Sequence, residues 1–372
     1  MRILQIAPLW ETVPPPAYGG TEAVASVLVE ELVKRGHKVT LWASGDSITA
    51  AELSSVYHRS LRTASDIYDA LYYNLIHAAS ALKDAGSYDI IHNHNGEMIM
   101  AMSHLVDTPM LTTMHNLITP DSKFVWDRYP GWFNTISESE RMNMLAIEND
   151  RYAGVIYNAI DVASFPYNED KEDLLLFLSR ISPEKAPHLA IEVARRLGMK
   201  LIIAGKVDPN PLDQAYFANV LNPLIDGKRV QFLGEADARL KRQLYAKARA
   251  LIMPLLWEEP FGLVMVEAMA CGTPVVAFRR GAAPEVIIDG KTGFLVDDVD
   301  EMVQATMKID QIDPKRCRRH VEVNFGPKQM ADGYLQAYRR IIDASVRQPA
   351  LTALTVAPSS VVVDPSRESA VA

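Results

Sequence analysis

The sequence predicts an α/β protein built from two halves, each a parallel β-sheet covered by helices. Three observations lead to this prediction. Short runs rich in leucine and β-branched residues alternate with helical stretches along the whole chain. The runs are almost continuously apolar, which is typical of strands buried on both faces. The length of 372 residues also matches about two ordinary domains rather than one.

The first half, residues 1–167, contains two predicted helices between its strands. The first helix is predicted over residues 21–35, because Gly19-Gly20-Thr21-Glu22 marks its start and Gly36 its end. The second is predicted over residues 64–83. The strands of this half are predicted at residues 3–7, 38–42, 89–92, 110–115, 133–136 and 154–157.

The second half, residues 168–326, repeats this alternation. Its polar beginning, residues 168–173, is predicted to link the two halves, and a last helix is predicted over residues 327–345. Residues 346–372 are rich in Ser, Ala, Val and Pro without a helical period, which predicts a flexible tail. The strands are predicted at residues 174–179, 199–204, 230–233, 250–253, 274–278 and 294–296.

Composition excludes several classes of function. A formal net charge of −8 argues against a nucleic-acid partner, since phosphate backbones require a basic face. The two cysteines, Cys271 and Cys317, are far apart and imply neither a disulfide framework nor a zinc site. No segment reaches the ~20 apolar residues of a membrane span, and the apolar run at the N-terminus is too short for a signal peptide. We therefore expect a cytoplasmic protein without a transmembrane segment.

Two stretches imitate nucleotide-binding motifs without meeting their requirements. Gly290-Lys291-Thr292 resembles the end of a P-loop, but the glycine required five positions earlier is Glu285, so a turn is predicted. No G-x-G-x-x-G follows the first strand, where Pro8 and Trp10 stand instead, which argues against an NAD(P) site. The chain also lacks a serine nucleophile elbow.

Two other clusters invite a metal-site interpretation. His92 and His94 are two residues apart and therefore lie on one side of a strand. A metal pair is one interpretation, and polar residues lining a cleft at a strand end is the one we prefer. Asp297, Asp298 and Asp300 follow the last predicted strand and are better explained as the start of a helix.

A pair of cations follows the first strand of the second half. Arg180 and Lys185 are five residues apart on one predicted strand-end loop, where open parallel sheets bind ligands. They could converge on one diphosphate, Arg as a planar fork and Lys as a mobile point charge. The alternative is that both are solvated charges ahead of a helix.

The stretch 258–272 carries the strongest signal. Gly262 lies at a predicted helix start and Gly272 at its end, and Glu267 is the only polar side chain in between. A carboxylate buried in an apolar helix is costly, on the order of several kcal/mol, unless it finds a partner or a ligand. Pairing with a buried base is one explanation and a ligand is the other. The free amides at residues 262–264 form an anion site, and Glu259 beside them could accept hydrogen bonds from sugar hydroxyls.

Taken in order, these motifs resemble the family 4 retaining glycosyltransferases of GT-B fold over nearly the whole chain. The resemblance implies two Rossmann-like domains facing a central cleft, with the last helix crossing back to the first domain. The motifs that carry it are Gly19-Gly20-Thr21-Glu22, Arg35-Gly36-His37-Lys38-Val39, Ile156-Tyr157-Asn158-Ala159-Ile160-Asp161, Arg180 to Lys185, Glu259-Pro260-Phe261-Gly262 to Glu267, and Gly281-Ala282-Ala283-Pro284-Glu285.

The resemblance also implies residue roles. Glu259 would bind hydroxyls of the donor sugar, Glu267 the ribose, and Arg180 and Lys185 would stabilise the departing diphosphate. His115 would lie next to the transferred sugar. The amides of Phe261, Gly262 and Leu263 and the Gly19-Gly20 loop would also contact the donor.

Two motifs depart from the family pattern. Ala159-Ile160 replace the more usual Gly-Val, and Ala282 replaces a second glycine after Gly281, which puts close backbone approach at that point in question. Trp10, Tyr18, Trp126 and Trp132 could form a platform for a sugar, or serve only in packing.

The implied reaction moves a hexosyl group, with retention and without a metal or other cofactor, from a nucleotide sugar to a hydroxyl acceptor. The donor is expected to be UDP-glucose or a related UDP-hexose, with GDP-mannose next. The acceptor is a small molecule, a glycan or a glycolipid. A nucleotide-sugar epimerase of the same fold would instead release free UDP and a rearranged sugar without any acceptor, and a non-catalytic sensor would bind the donor without turnover.

Overall fold

Two parallel sheets organise the computed structural model, which describes residues 1–149 and 151–347. The first sheet contains β1 Arg2–Ile6, β2 Lys38–Trp42, β3 Glu52–Ser54, β4 Ile90–Asn93, β5 Met110–Thr113, β6 Trp132–Thr135 and β7 Tyr152–Val155. The second contains β8 Glu172–Leu178, β9 Lys200–Ala204, β10 Val230–Phe232, β11 Ala248–Met253, β12 Val275–Phe278 and β13 Gly293–Val296.

Helices cover both sheets. Those of the first half are α1 Gly20–Lys34, α2 Ala70–Ala81, α3 Glu97–Met102, α4 Pro120–Trp126 and α5 Glu138–Asn143. Those that follow are α6 Pro187–Leu197, α7 Pro211–Tyr216, α8 Ala238–Lys247, α9 Leu263–Ala270, α10 Ala283–Val286, α11 Val299–Met307, α12 Pro314–Asn324 and α13 Pro327–Arg347.

The strand order is the same in both sheets and confirms the predicted fold class. The first sheet is ordered β3-β2-β1-β4-β5-β6-β7 and the second β10-β9-β8-β11-β12-β13. Counted within each half, both follow the Rossmann order 3-2-1-4-5-6, the first with one extra strand. The order reverses beside β1 and beside β8, and ligands of such sheets bind in the crevice at the carboxyl ends of those strands.

All twelve predicted strands are found within two residues of their predicted ends. The prediction missed β3, a three-residue edge strand whose short, polar sequence gives no hydrophobic pattern. The second helix is shorter than predicted, because Asp69 is its N-cap residue. Its carboxylate accepts a hydrogen bond from the amide of Leu71 at 2.9 Å and so caps α2 at residue 70.

Helix α13 returns to the first half. Tyr334 and Tyr338 are fully buried there, in the same apolar cluster as Leu28 of α1. The helix extends two residues beyond its predicted end, into the first residues of the predicted tail. Residues 348–372 of that tail lie outside the described part of the chain.

The polar stretch 168–173 is tied to the second half. Lys171 donates from Nζ to the carbonyl oxygens of Ala246 and Cys271, at 3.1 and 2.9 Å, and to Thr273 Oγ1 at 2.8 Å. Its last two residues already belong to β8. The polar composition therefore reflects satisfied surface contacts at the start of β8.

Candidate active site

A cleft of about 1090 Å³ lies between the carboxyl ends of the two sheets. The loops that follow β1, β5, β8, β9 and β11 line it, as the strand order requires. Every residue to which the family resemblance assigns a role in donor binding or catalysis is part of its wall. These residues are Gly19, Gly20, His115, Arg180, Lys185, Glu259, Phe261, Gly262, Leu263 and Glu267.

Two helix N-termini meet in this cleft. Helix α1 begins after Gly19 and α9 after Gly262, and both glycines have positive φ, 133° and 83°. A Cβ on Gly20 would lie 3.5 Å from Leu263 Cδ1, so the two starts are in near contact. In the described residues, no acceptor takes the amide hydrogens of Gly262, Leu263 and Val264. Both helix dipoles thus favour an anion at one point between the halves.

Arg180 sits among carboxylates. The turn that carries it packs tightly on the next strand end, since a Cβ on Gly205 would lie 1.7 Å from the carbonyl oxygen of Ser179. The guanidinium lies 2.5 Å from Glu184, 3.5 Å from Asp208 and 3.4 Å from Asp213. The cation is therefore held at the cleft wall by a fixed set of acidic partners.

Lys185 forms an ion pair with Glu259, although the two residues are 74 positions apart in the sequence. Lys185 Nζ donates to the Glu259 carboxylate and lies 4.3 Å from the centre of the Trp257 ring. Trp257 Nε1 donates to the same carboxylate at 3.1 Å. Trp257 was not singled out from the sequence, although its position two residues before Glu259 at a strand end was a usable signal.

Glu267 is buried in α9 and has partners on α8. Tyr245 donates to one carboxylate oxygen at 2.8 Å, and Lys241 Nζ lies 3.4 Å from the other. Burial, and next the Glu267 charge, raise the pKa of Tyr245 well above its usual value. Glu267 therefore does pair with a base, Lys241, as one of the two explanations expected. Both side chains also line the cleft. Their arrangement leaves the carboxylate available to a hydroxyl in the cleft.

The loop after β12 holds the backbone of Glu259. The amide of Gly281 donates to the Glu258 carboxylate at 2.7 Å, and that of Ala282 donates to the Glu259 carbonyl at 2.8 Å. A Cβ on Gly281 would lie 2.2 Å from the Glu259 nitrogen. The first glycine is therefore required for close approach, whereas the buried methyl of Ala282 is accommodated.

The histidines are arranged differently from the prediction. His115 lines the cleft, but His92 and His94 are buried beneath it and do not line it. The expectation that the latter pair lines the cleft is wrong, because the His92 ring bonds Tyr338 of α13 and the His94 ring bonds Gln5 of β1, both in the interior. Burial lowers the pKa of His115 to about 4, so its ring is neutral at pH 7.

No group of three or more His, Cys, Asp or Glu side chains placed to hold a metal occurs in residues 1–149 and 151–347. Asp298 instead caps α11, its carboxylate accepting from the Glu301 amide at 2.8 Å. Gly290 forms the predicted turn before β13, its amide donating to the Gly293 carbonyl at 2.9 Å.

The aromatic platform is not assembled. Trp126 is buried, its ring 5.7 Å from that of Phe133, and Trp132 packs against Arg340. Trp10 is 46% exposed but lies outside the cleft wall. Only Tyr18 lines the cleft, with Lys206 Nζ 3.8 Å from its ring centre. These four residues belong to different layers of the fold, which their sequence positions do not reveal.

Lys206 is, like Trp257, a cleft residue that was missed from the sequence. Lys206 follows β9 and adds a third cation to the cleft. Its Nζ lies 2.8 Å from Asp208, which is also a partner of Arg180. Its place after a predicted strand could have identified it. Glu22 at the start of α1 does not line the cleft, but it is buried, and burial raises its pKa to about 7. Nothing in the local sequence indicates how deeply that carboxyl is buried.

Two family models match the chain. The model of glycosyl transferases group 1 matches residues 161–320, and that of Glycosyltransferase Family 4 matches residues 18–164. This chain belongs to glycosyltransferase family 4. The split between the two matches coincides with the transition from the first sheet to the second, so each model describes one half of this glycosyltransferase.

Known proteins support the same family. Over 186 residues the chain is 33% identical to D-inositol 3-phosphate glycosyltransferase of Mycobacteroides abscessus, covering 48% of this chain and 41% of that protein. The match thus spans less than half the length of this curated relative.

No helix among residues 1–149 and 151–347 is long and apolar enough to cross a membrane.

Solved structures share the fold. Sucrose-phosphate synthase of Thermosynechococcus elongatus superposes with a TM-score of 0.76 at 20% identity, covering 92% of this chain and 99% of that one. HepE of Anabaena, in complex with UDP-glucose, gives a TM-score of 0.68 at 19% identity, covering 91% and 100%. At these identities the likeness is one of fold.

Proposed function

We propose that this glycosyltransferase moves a hexosyl group from a nucleotide sugar, most simply UDP-glucose, to a hydroxyl acceptor with retention of configuration. The observation that carries the proposal is the meeting of two helix N-termini in one cleft, flanked by Arg180 and Lys185. Such a point suits a diphosphate, because free amides, aligned dipoles and two cations all favour negative charge.

The carboxylates beside this anion site suit the rest of the donor. Glu259 lies four residues before α9 and Glu267 is the fifth residue of that helix, so the free amides at its start lie between them in the sequence. Hydroxyls of the transferred sugar would donate to Glu259, and those of the ribose to Glu267. HepE, which shares the fold, holds UDP-glucose, and UDP-hexose is the donor we propose here.

In the proposed reaction the bond from the sugar C1 to the diphosphate oxygen breaks as the acceptor oxygen approaches from the same face. The leaving phosphate takes the acceptor's proton, and the new bond from C1 to the acceptor oxygen completes the exchange. Arg180 and Lys185 stabilise the charge that grows on the diphosphate, the role that a metal would otherwise fill.

Binding and product analysis test the proposal together. Thermal-shift measurements with UDP-glucose, UDP-galactose, UDP-GlcNAc and GDP-mannose should give the largest stabilisation with a UDP-hexose. The anomeric configuration of the product, measured by NMR, should match that of the donor. Rearranged sugar and free UDP without an acceptor would indicate an epimerase, binding without turnover a sensor, and an inverted product would exclude retention.

Chelation should leave activity intact. We expect the rate in EDTA to equal the rate without it, because the diphosphate charge is met by Arg180, Lys185 and backbone amides. The measurement is the initial rate of UDP release after dialysis against EDTA, with and without added Mn²⁺. Loss of activity that manganese restores would show that the proposed metal-free reaction is wrong.

Glu267→Ala should weaken UDP binding by about 1–3 kcal/mol, because charge-assisted hydrogen bonds to the ribose are lost. Calorimetric titration with UDP measures this. Glu192→Ala is the matched control, since Glu192 is a half-exposed carboxylate on α6 outside the cleft. A Kd equal to that of the unchanged protein, with Tm preserved, would remove the ribose role and leave Glu267 as a partner of Tyr245 and Lys241.

A further inference from the structure

A continuous chain of buried hydrogen bonds links the crossover helix to the cleft. It runs from β6 and β5 through His92, Tyr338, Gln5 and His94 to His115. Burial lowers the pKa of His92 and His94 well below the usual value, and that of His115 to about 4. Each ring is therefore neutral, with one nitrogen that donates and one that accepts.

The direction of every bond in this chain follows from one backbone carbonyl. The Thr135 carbonyl can only accept, so Asn134 presents Nδ2 to it at 3.2 Å and turns Oδ1 toward Thr113 at 2.8 Å. Thr113 must donate its single proton to that oxygen. His92 Nε2, 2.7 Å from Thr113 Oγ1, must then be the donor to the hydroxyl. His92 is thus protonated on Nε2, and its Nδ1 accepts from the Tyr338 hydroxyl at 2.6 Å.

The donor and acceptor of each remaining bond, from Tyr338 to His115 at the cleft, are fixed in the same way. Because Tyr338 donates its proton to His92, its oxygen accepts from Gln5 Nε2 at 2.9 Å. The other end of that amide, Oε1, can only accept, so His94 donates to it from Nε2 at 3.0 Å. His94 Nδ1 is consequently the acceptor of the 3.0 Å bond from His115 Nε2. His115 therefore carries its proton on Nε2, facing the interior.

We infer that this hydrogen-bond wire, which consists of His92, Tyr338, Gln5, His94 and His115, holds His115 as a hydrogen-bond acceptor. The Nδ1 lone pair of His115 is then directed at a hydroxyl of the transferred sugar, and Gln5, His94 and Tyr338 are positioning residues for the reaction. The Nδ1 atom has no hydrogen-bond partner among the described residues, and His115 lines the cleft. The inference about the sugar rests on the proposed function; the tautomer does not.

The fixed tautomer of His115 requires that the nucleotide sugar present a hydroxyl to it. A neutral imidazole locked with its lone pair toward the ligand accepts from a hydroxyl but gives nothing to a group that only accepts. Freed from the wire, the ring would populate both tautomers and would meet the sugar correctly in only part of the molecules. The crossover helix thereby contributes to the site through Tyr338, although it does not reach the sugar.

The chain offers a matched pair of variants. Tyr338 and Tyr334 are fully buried one turn apart on α13, and each loses one hydroxyl on change to phenylalanine. Only Tyr338 lies between Gln5 and His92. Tyr334 donates to Thr113 from the side, at 3.0 Å, and its removal leaves the direction of the wire unchanged.

The experiment is long-range ¹H–¹⁵N NMR of the full chain labelled at histidine, with the His115 signals assigned from the His115→Gln variant. We expect Nε2 protonated and Nδ1 unprotonated in the unchanged protein and in Tyr334→Phe, and a mixture in Tyr338→Phe. With UDP-glucose and acceptor, Tyr338→Phe should lower kcat by about threefold to tenfold, the size of one hydrogen bond, with little change in KM.

The tautomer and the kinetics together separate a failure of the wire from a failure of the proposed function. Nδ1 protonated in the unchanged protein, or equal tautomer mixtures in both tyrosine variants, would overturn the wire whatever the enzyme does. The expected tautomers without any binding of UDP-sugars would leave the wire standing and refute the proposed function. The expected tautomers with normal kcat in Tyr338→Phe would show that the wire does not act on the sugar.

Discussion

Arg180→Ala should lower kcat by about 10²–10³, equivalent to about 2.7–4 kcal/mol, while the KM for the donor changes little. The diphosphate gains negative charge as its bond to the sugar breaks, so a cation aimed at it is worth most in the transition state. In the ground state this cation already has Glu184, Asp208 and Asp213 as partners, and a bound donor gains less from it. Initial rates over a range of donor concentrations separate the two terms.

Lys185→Ala should behave in the same way, and the double variant should lose less than the sum, because both cations serve one leaving group. Both variants are expected to fold. Asp213, the buried partner of Arg180, keeps its 2.9 Å hydrogen bond from Asn210. Arg249→Ala is the control, since Arg249 pairs with Asp173 and Asp310 outside the cleft. Normal kcat with a raised KM would make the pair a docking clamp and would move the leaving-group role to the amides at 261–263.

Gly281→Ala should cost about 10²-fold in kcat/KM, the loss that follows a misplacement of about 1 Å in a reacting group. The new Cβ would lie 2.2 Å from the nitrogen and 2.5 Å from the oxygen of Glu259, so that backbone must move. With it move the Glu259 carboxylate and the Lys185 ammonium bound to it. Activity and Tm measured on the same preparation separate displacement from unfolding.

Gly290→Ala provides the matched control for this change. Gly290 has a φ of 68°, close to the 56° of Gly281, and a Cβ there would meet no atom within 4 Å. Both variants carry the left-handed strain of about 1–2 kcal/mol, and only Gly281→Ala adds the clash. Equal activities of the two would show that Glu259 is not held in place by the loop after β12.

The sequence by itself determined the fold class and all strands of the described residues except β3, and it singled out ten residues that line the cleft. Strands buried on both faces are continuous apolar runs, and helix starts carry glycine, so both signals are local. Because the parallel strands of one sheet end at one edge, the position of Arg180 after a predicted strand places it at the ligand-binding edge of its own sheet. Glu267 was also detectable, since a lone carboxylate in an apolar helix requires an explanation.

Only the tertiary structure decided which groups pair within that cleft. Lys185 and Glu259 are 74 residues apart, and Gln5 meets Tyr338 across 333 residues. Such contacts depend on how two sheets and a returning helix pack, and no local pattern encodes them. The same reason explains why the sequence left the role of Trp126 open and misplaced His92. Packing turns both side chains inward, where burial and hydrogen bonding satisfy them.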